Sequence, residues 1–97
     1  MDLEMRQILI GRMTENLPVL RKKLRLTQED LALRIGSSRG NVMQMETGRR
    51  KMTWNTFLSL VLVFEKNPET AQMLRMFQIY TTELDNALSG QTSPDRQ

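Results

Sequence analysis

Apolar residues recur every three or four positions along most of this 97-residue chain, and that spacing predicts helices. An amphipathic helix is predicted from Leu3 to about Met13, followed by a break near Thr14. A second helix, with Pro18 in its first turn, is predicted to continue to about Arg25. We therefore expect an all-α fold that begins with two helices.

The middle of the chain predicts two further short helices joined by a tight turn. Thr27 caps the first, and Asp30 three residues later completes a capping box. Gly36 ends that helix, because glycine adopts the left-handed conformation without steric cost. Ser38 caps the second helix, which is predicted to span 38–47. This spacing is the one that a DNA-reading helix-turn-helix requires.

The second helix of this pair is predicted to bury one face and expose the other. Val42 and Met45 recur at helical spacing and point inward. The opposite face is polar, basic and unobstructed, and it carries Arg39, Gly40, Met43 and Gln44.

The last part of the chain predicts a helix from Trp54 to Phe64 and a long final helix over 67–88. Leu62 makes the first of these apolar on nearly all sides, so we expect the final helix to cover it. The apolar residues of the final helix alternate by four and three, which fits either a cap on its own core or a dimer interface; they are Met73, Phe77, Tyr80, Leu84 and Ala87. Residues 89–97 are small and polar, and a disordered tail is predicted there.

Composition disfavours enzymes and membrane proteins. The chain has no cysteine and no histidine, so it lacks thiolate ligands and the commonest general base. We expect no catalysis, no metal and no cofactor. The longest apolar runs, such as Leu58 to Phe64, are too short to cross a membrane, and Asp2 and Glu4 stand where a signal peptide would be basic. A cytoplasmic protein with no membrane contact is expected.

Charge is divided unevenly along the chain. Residues 21–51 hold nine of the 14 Lys/Arg and three of the 11 Asp/Glu, so they carry six net positive charges while the remainder carries three net negative ones. Such a division predicts one face that attracts polyanions. The alternative is a solvated basic surface without a partner.

The central segment carries a set of motif residues, with a basic segment before them and a basic turn after them; they are Gln28, Ala32, Gly36, Val42, Glu46 and Gly48. With this motif the chain resembles the phage-repressor/Cro (XRE) helix-turn-helix family. The resemblance covers roughly Leu17 to Phe64. The resemblance implies a compact five-helix domain over 14–66 whose third helix enters the major groove. The helices over 1–13 and 67–88 are then additions to that domain.

The resemblance and the side-chain chemistry together predict DNA contacts. Arg39 can bind a guanine edge through two hydrogen bonds, and Gln44 can pair with adenine; Asn41 and Met43 are further base-reading candidates. Gly40 departs from the family, whose members commonly carry a long polar residue there, so either the backbone approaches DNA closely or base reading is thin. The candidates for phosphate binding are Gln28, Ser37, Ser38, Arg49, Arg50 and Lys51.

We therefore expect a sequence-specific regulator of transcription, of the repressor kind, that binds a double-stranded operator. A homodimer would place two copies of helix 38–47 on half-sites about 34 Å apart. The candidates for the dimer interface are Leu62, Met73, Phe77, Tyr80 and Leu84. The alternative is an interaction module of the antitoxin type, since antitoxins of the resembled family use this fold both to bind DNA and to hold a protein partner.

Overall fold

Residues 1–90 are described by the computed structural model, and over that range they form helices and no strand. The all-α class predicted from the sequence is confirmed. The six helices are α1 (Leu3–Lys23), α2 (Gln28–Ile35), α3 (Arg39–Glu46), α4 (Trp54–Glu65), α5 (Pro68–Met76) and α6 (Thr82–Leu88).

Helix α1 is continuous over 21 residues, so the predicted break near Thr14 is wrong. The polar residues that suggested a break bond back into the helix: the Thr14 hydroxyl donates to the Ile10 carbonyl (2.9 Å), and the Asn16 side chain donates to the Arg12 carbonyl (2.8 Å). Pro18 lies inside the helix rather than in a first turn. Proline there removes one helical hydrogen bond.

Packing explains why α1 continues past Pro18. The buried stripe of this helix runs through the proline without interruption, and its members are Leu9, Ile10, Met13, Leu17 and Leu20. These side chains are almost fully removed from water, and burying each one contributes about 1.5–3 kcal/mol. The N-terminal helix is therefore not a separate addition that ends at residue 13, and residues 14–66 hold four helices (the rest of α1, then α2, α3 and α4) rather than the five that the resemblance implies.

The predicted single helix over 67–88 is divided into α5 and α6, so that prediction is also wrong. Gln78 adopts a left-handed φ of 59°. The Ile79 N–H then bonds the Leu74 carbonyl (2.8 Å) and the Gln78 N–H bonds the Arg75 carbonyl (3.0 Å), which is the Schellman termination of a helix. Thr81 caps α6. Because the residue in the left-handed conformation is not glycine, the sequence carries no stop signal at this point.

The core lies where α1 crosses the other helices. Helix α1 packs against α3, α4 and α5, while α2 packs against α3 and α4. The largest fully buried side chains are Phe57, Phe64, Leu9, Met13, Leu17, Leu20, Leu31, Met45, Leu60, Leu74, Ile79 and Leu84. Helix α5 packs against α4 but leaves Leu62 with 65% of its surface exposed, so the predicted cover over that residue is absent from residues 1–90.

No helix in residues 1–90 has both the length and the apolar character needed to cross a membrane. The predicted tail over 89–97 lies, from residue 91 onward, outside the described residues.

Candidate nucleic-acid interface

Helices α2 and α3 are joined and capped as the sequence predicts. The Thr27 hydroxyl accepts from the Asp30 N–H (2.9 Å), and the Asp30 carboxylate accepts from the Thr27 N–H (3.0 Å). These bonds with Thr27 lower the pKa of Asp30 below its ordinary value of 3.8. Gly36 has a left-handed φ of 68°, and Ser38 caps α3 by accepting from the Asn41 N–H (3.1 Å). The turn between the two helices is therefore fixed at both ends.

Helix α3 has the two faces that its spacing predicts. Val42 and Met45 are buried against the core. Arg39, Gly40, Met43 and Gln44 are exposed to solvent. The helix thus projects a mixed polar and basic surface that no other part of residues 1–90 covers.

A partly buried ion pair holds α3 to α1. Arg21 Nε donates to Glu46 Oε2 (2.6 Å) and Arg21 Nη2 donates to Glu46 Oε1 (3.2 Å), with side-chain exposures of 11% and 6%. Arg21 also donates to the Leu26 carbonyl (2.9 Å), and the Gln28 side-chain amide donates to Glu46 Oε1 (3.1 Å). This cluster links α1, the following loop, α2 and the end of α3.

Sequence reasoning did not identify this ion pair. Glu46 follows Val42 by four positions, which places a carboxylate on the buried side of α3, where it needs a cation. That spacing is the available signal, but the cation stands 25 residues earlier in the chain. Arg21 therefore neutralises the Glu46 carboxylate, and its side chain also reaches the surface depression that Arg39 lines.

Gln28 is partly committed to this cluster. One N–H of its side-chain amide is bonded to Glu46, which leaves the second for an outside acceptor. Gln28 lines a shallow depression together with Arg21, Thr27, Glu29 and Arg39. A predicted phosphate-binding residue and a predicted base-reading residue thus meet at the start of α2 and α3.

A second cluster connects three of the predicted DNA-binding residues. The Asn41 side-chain Nδ2 donates to Ser37 Oγ (2.7 Å), and Arg50 Nη1 donates to Asn41 Oδ1 (3.1 Å). The Arg50 backbone N–H also bonds the Gln44 carbonyl (3.1 Å). The loop after α3 therefore folds back onto that helix.

The remaining predicted phosphate contacts surround this cluster. Ser38, Arg49 and Lys51 are exposed. Within residues 1–90, neither the Arg49 nor the Lys51 side chain has a hydrogen bond or ion pair. Arg39 at the first position of α3 and the basic segment 49–51 just beyond its end place positive charge at both ends of the exposed face.

The chain matches no family model, no curated protein and no solved structure.

Gly40 is not required by the fold. A Cβ added at this position would meet no heavy atom within 4 Å in the described part of the chain, and Gly40 does not have the positive φ of Gly36. The absence of a side chain here leaves the backbone of α3 open to whatever lies against its exposed face.

The structure divides the predicted dimer-interface residues. Leu84 is fully buried in its own core, so its assignment to a dimer interface is wrong. The reason is the turn at Gln78, which directs α6 back onto the domain. Met73, Phe77 and Tyr80 are half-buried, and Ala87 is exposed, so the predicted stripe does not lie along one helix. Leu62 is the most exposed of the candidates.

Proposed function

We propose that this protein is a sequence-specific, double-stranded DNA-binding regulator of transcription, of the phage-repressor/Cro (XRE) kind. The observation that supports it best is the exposed face of α3, presented by a capped helix-turn-helix and anchored from behind by the Arg21–Glu46 ion pair. An α-helix fits the major groove of B-form DNA, and its exposed side chains then meet the base edges.

In this proposal the exposed side chains of α3 read the bases. Arg39 donates two hydrogen bonds to the edge of a guanine, and Gln44, more than one turn later, pairs with an adenine. Met43 offers apolar contact to a thymine methyl group. Gly40 allows the α3 backbone to approach the groove, since no atom of residues 1–90 occupies the space beside it.

Phosphate contacts fix the orientation of the protein on the duplex. Gln28 retains one free amide N–H, while Ser38, Arg49 and Lys51 are exposed close to either end of α3. Such contacts increase affinity for all sequences and carry no base preference. Repression follows where the operator overlaps a promoter.

A homodimer belongs to the same proposal. One small domain makes few base contacts, so two copies on half-sites about 34 Å apart would supply useful affinity. Leu62 supports this arrangement because 65% of its surface is exposed in the monomer. Light scattering of the protein alone and on DNA tests it, and a monomer at every concentration, both alone and on DNA, would contradict it.

The experiment that tests the function is selection of bound duplexes from random DNA at two salt concentrations. A specific regulator enriches one motif, and its affinity falls with salt at a slope of about −0.9 per phosphate contact. Arg39→Ala should cost about 1–3 kcal/mol on the selected site and blur preference at one base pair. Arg49→Ala should lower the affinity for every DNA sequence by the same factor. Equal losses on selected and random DNA for Arg39→Ala would refute its role.

The exposed Leu62 also favours a second candidate function, an interaction module of the antitoxin type. It lies in a shallow apolar depression on α2 and α4, between Arg34 and Lys66. A protein partner that binds there should copurify with the wild type in the absence of DNA, and it should not copurify with the Leu62→Gln variant. A wild type that enriches a DNA motif and retains no partner would exclude this candidate.

A further inference from the structure

The hydrogen bonds around Asn41 assign its side chain an inward role. Arginine carries only donors, so the atom that faces Arg50 Nη1 must be the amide oxygen of Asn41. The amide nitrogen then faces Ser37, whose Oγ is the acceptor. The two ends of the Asn41 amide are therefore oriented by their neighbours, one in the turn before α3 and one in the loop after it.

This arrangement conflicts with base reading by Asn41. An asparagine that recognises adenine must direct both its oxygen and its nitrogen at the base edge. Here both are directed at Ser37 and Arg50, so adenine recognition would require both hydrogen bonds to break.

The same bonds leave the neighbours of Asn41 ready to bind an anion. Because Ser37 Oγ accepts from Asn41, its own hydroxyl proton is free to donate. Arg50 uses one of its five guanidinium N–H groups on Asn41 and is also tethered through its backbone N–H to the Gln44 carbonyl. Donors that are held in place before binding lose less conformational freedom when the ligand arrives.

We infer that Asn41 is a positioning residue, and that it holds the Ser37 hydroxyl and the Arg50 guanidinium as one preorganised clamp for a single phosphate of the DNA backbone. The inference rests on the proposed DNA-binding function and reassigns Asn41 from base reading to phosphate positioning. Arg49 is a matched control for Arg50, because it is the adjacent residue, carries the same charge and has no side-chain partner within residues 1–90.

A double-mutant cycle tests the clamp. Asn41→Ala, Arg49→Ala, Arg50→Ala and the two doubles that contain Asn41→Ala are titrated by fluorescence anisotropy on the selected duplex and on a random duplex of equal length. Asn41→Ala keeps the backbone N–H that donates to the capping Ser38 hydroxyl, and alanine is a better helix former than asparagine. The variant should therefore fold. The variant should bind both duplexes more weakly by the same factor, about two- to twelvefold, which is the effect of losing one hydrogen bond.

The cycle separates positioning from base reading. The double variant with Arg50→Ala should lose less affinity than the product of the two single losses, because only the Ser37 half of the clamp remains for Asn41 to hold. The double with Arg49→Ala should show the full product. A loss from Asn41→Ala that is confined to the selected duplex, or that persists undiminished in the Arg50→Ala protein, would overturn the inference.

A measurement on free protein distinguishes failure of the clamp from failure of the function. By ¹⁵N relaxation, Asn41→Ala should lower the order of the Arg50 Nε–H group and leave Arg49 unchanged; equal order in the two arginines of the wild type would overturn the positioning role. A wild type that binds neither duplex would overturn the proposed function and the phosphate assignment with it, even where the relaxation result is as expected.

Discussion

Replacing Glu46 by glutamine should destabilise the protein far more than the loss of an ordinary surface ion pair. The side chains of Arg21 and Glu46 are 11% and 6% exposed, so water solvates the arginine poorly once the carboxylate is gone. Breaking a buried pair by removing one partner costs about 3–5 kcal/mol. Glutamine keeps an acceptor for Gln28, so we expect the lower end, about 3 kcal/mol.

The chain contains a matched control for this substitution. Arg75 and Glu65 also form a bidentate pair, through Nη1 and Nη2 and with the same N–O distances of 2.6 and 3.2 Å, but their side chains are 50% and 27% exposed. An exposed pair contributes about 0–1 kcal/mol, because water competes for both charges. Glu65→Gln should therefore have a small effect, and burial is the main difference between the two pairs.

Urea denaturation and thermal unfolding, each followed by circular dichroism at 222 nm, measure the free energy of unfolding and the melting temperature of both variants. For a domain of this size each kcal/mol corresponds to about 4–8 °C in melting temperature, so Glu46→Gln should melt roughly 12–24 °C below the wild type. Equal and small losses for the two variants would refute the reasoning, since the Arg21–Glu46 pair would then be solvated like a surface pair. A lost transition in Glu46→Gln would place the cost above the total stability, which is typically about 5–15 kcal/mol.

Four further substitutions test other parts of the molecule. Gly40→Ala and Gly11→Ala should each raise the free energy of unfolding by about 0.5–1 kcal/mol, because an added Cβ meets no heavy atom within 4 Å at either helical position; a loss in urea denaturation would contradict this. Asp30→Asn should lower stability at pH 7. The folded-state pKa of Asp30 is lowered, so its stabilising contribution is present above the ordinary value of 3.8 and is lost as pH falls through the folded value; thermal scans of both proteins should converge in strong acid. At a protein concentration low enough to keep the protein monomeric, Leu62→Gln should change the free energy of unfolding by less than about 0.5 kcal/mol, and a larger loss would show that the leucine is covered within the monomer.

Local signals in the sequence were sufficient for the helix-turn-helix. The caps at Thr27 and Ser38 and the glycine at position 36 act through backbone groups no more than a few residues away, so their effect can be read without knowing the fold. The alternation of buried and exposed residues along α3 follows from the helical period in the same way. The all-α class and the exposed residues of the candidate interface were predictable for that reason.

Contacts between distant residues determined the rest. Packing of the buried stripe keeps α1 helical through Pro18, although the local sequence favours a break. Gln78 ends α5 without a glycine, and the burial of Leu74 and Ile79 on either side of it accompanies that turn. The pairing of Arg21 with Glu46, and of Asn41 with Arg50, depends on which helices meet in space. Periodicity shows which face of a helix is buried, but the partner of that face is chosen by the packing of the whole chain.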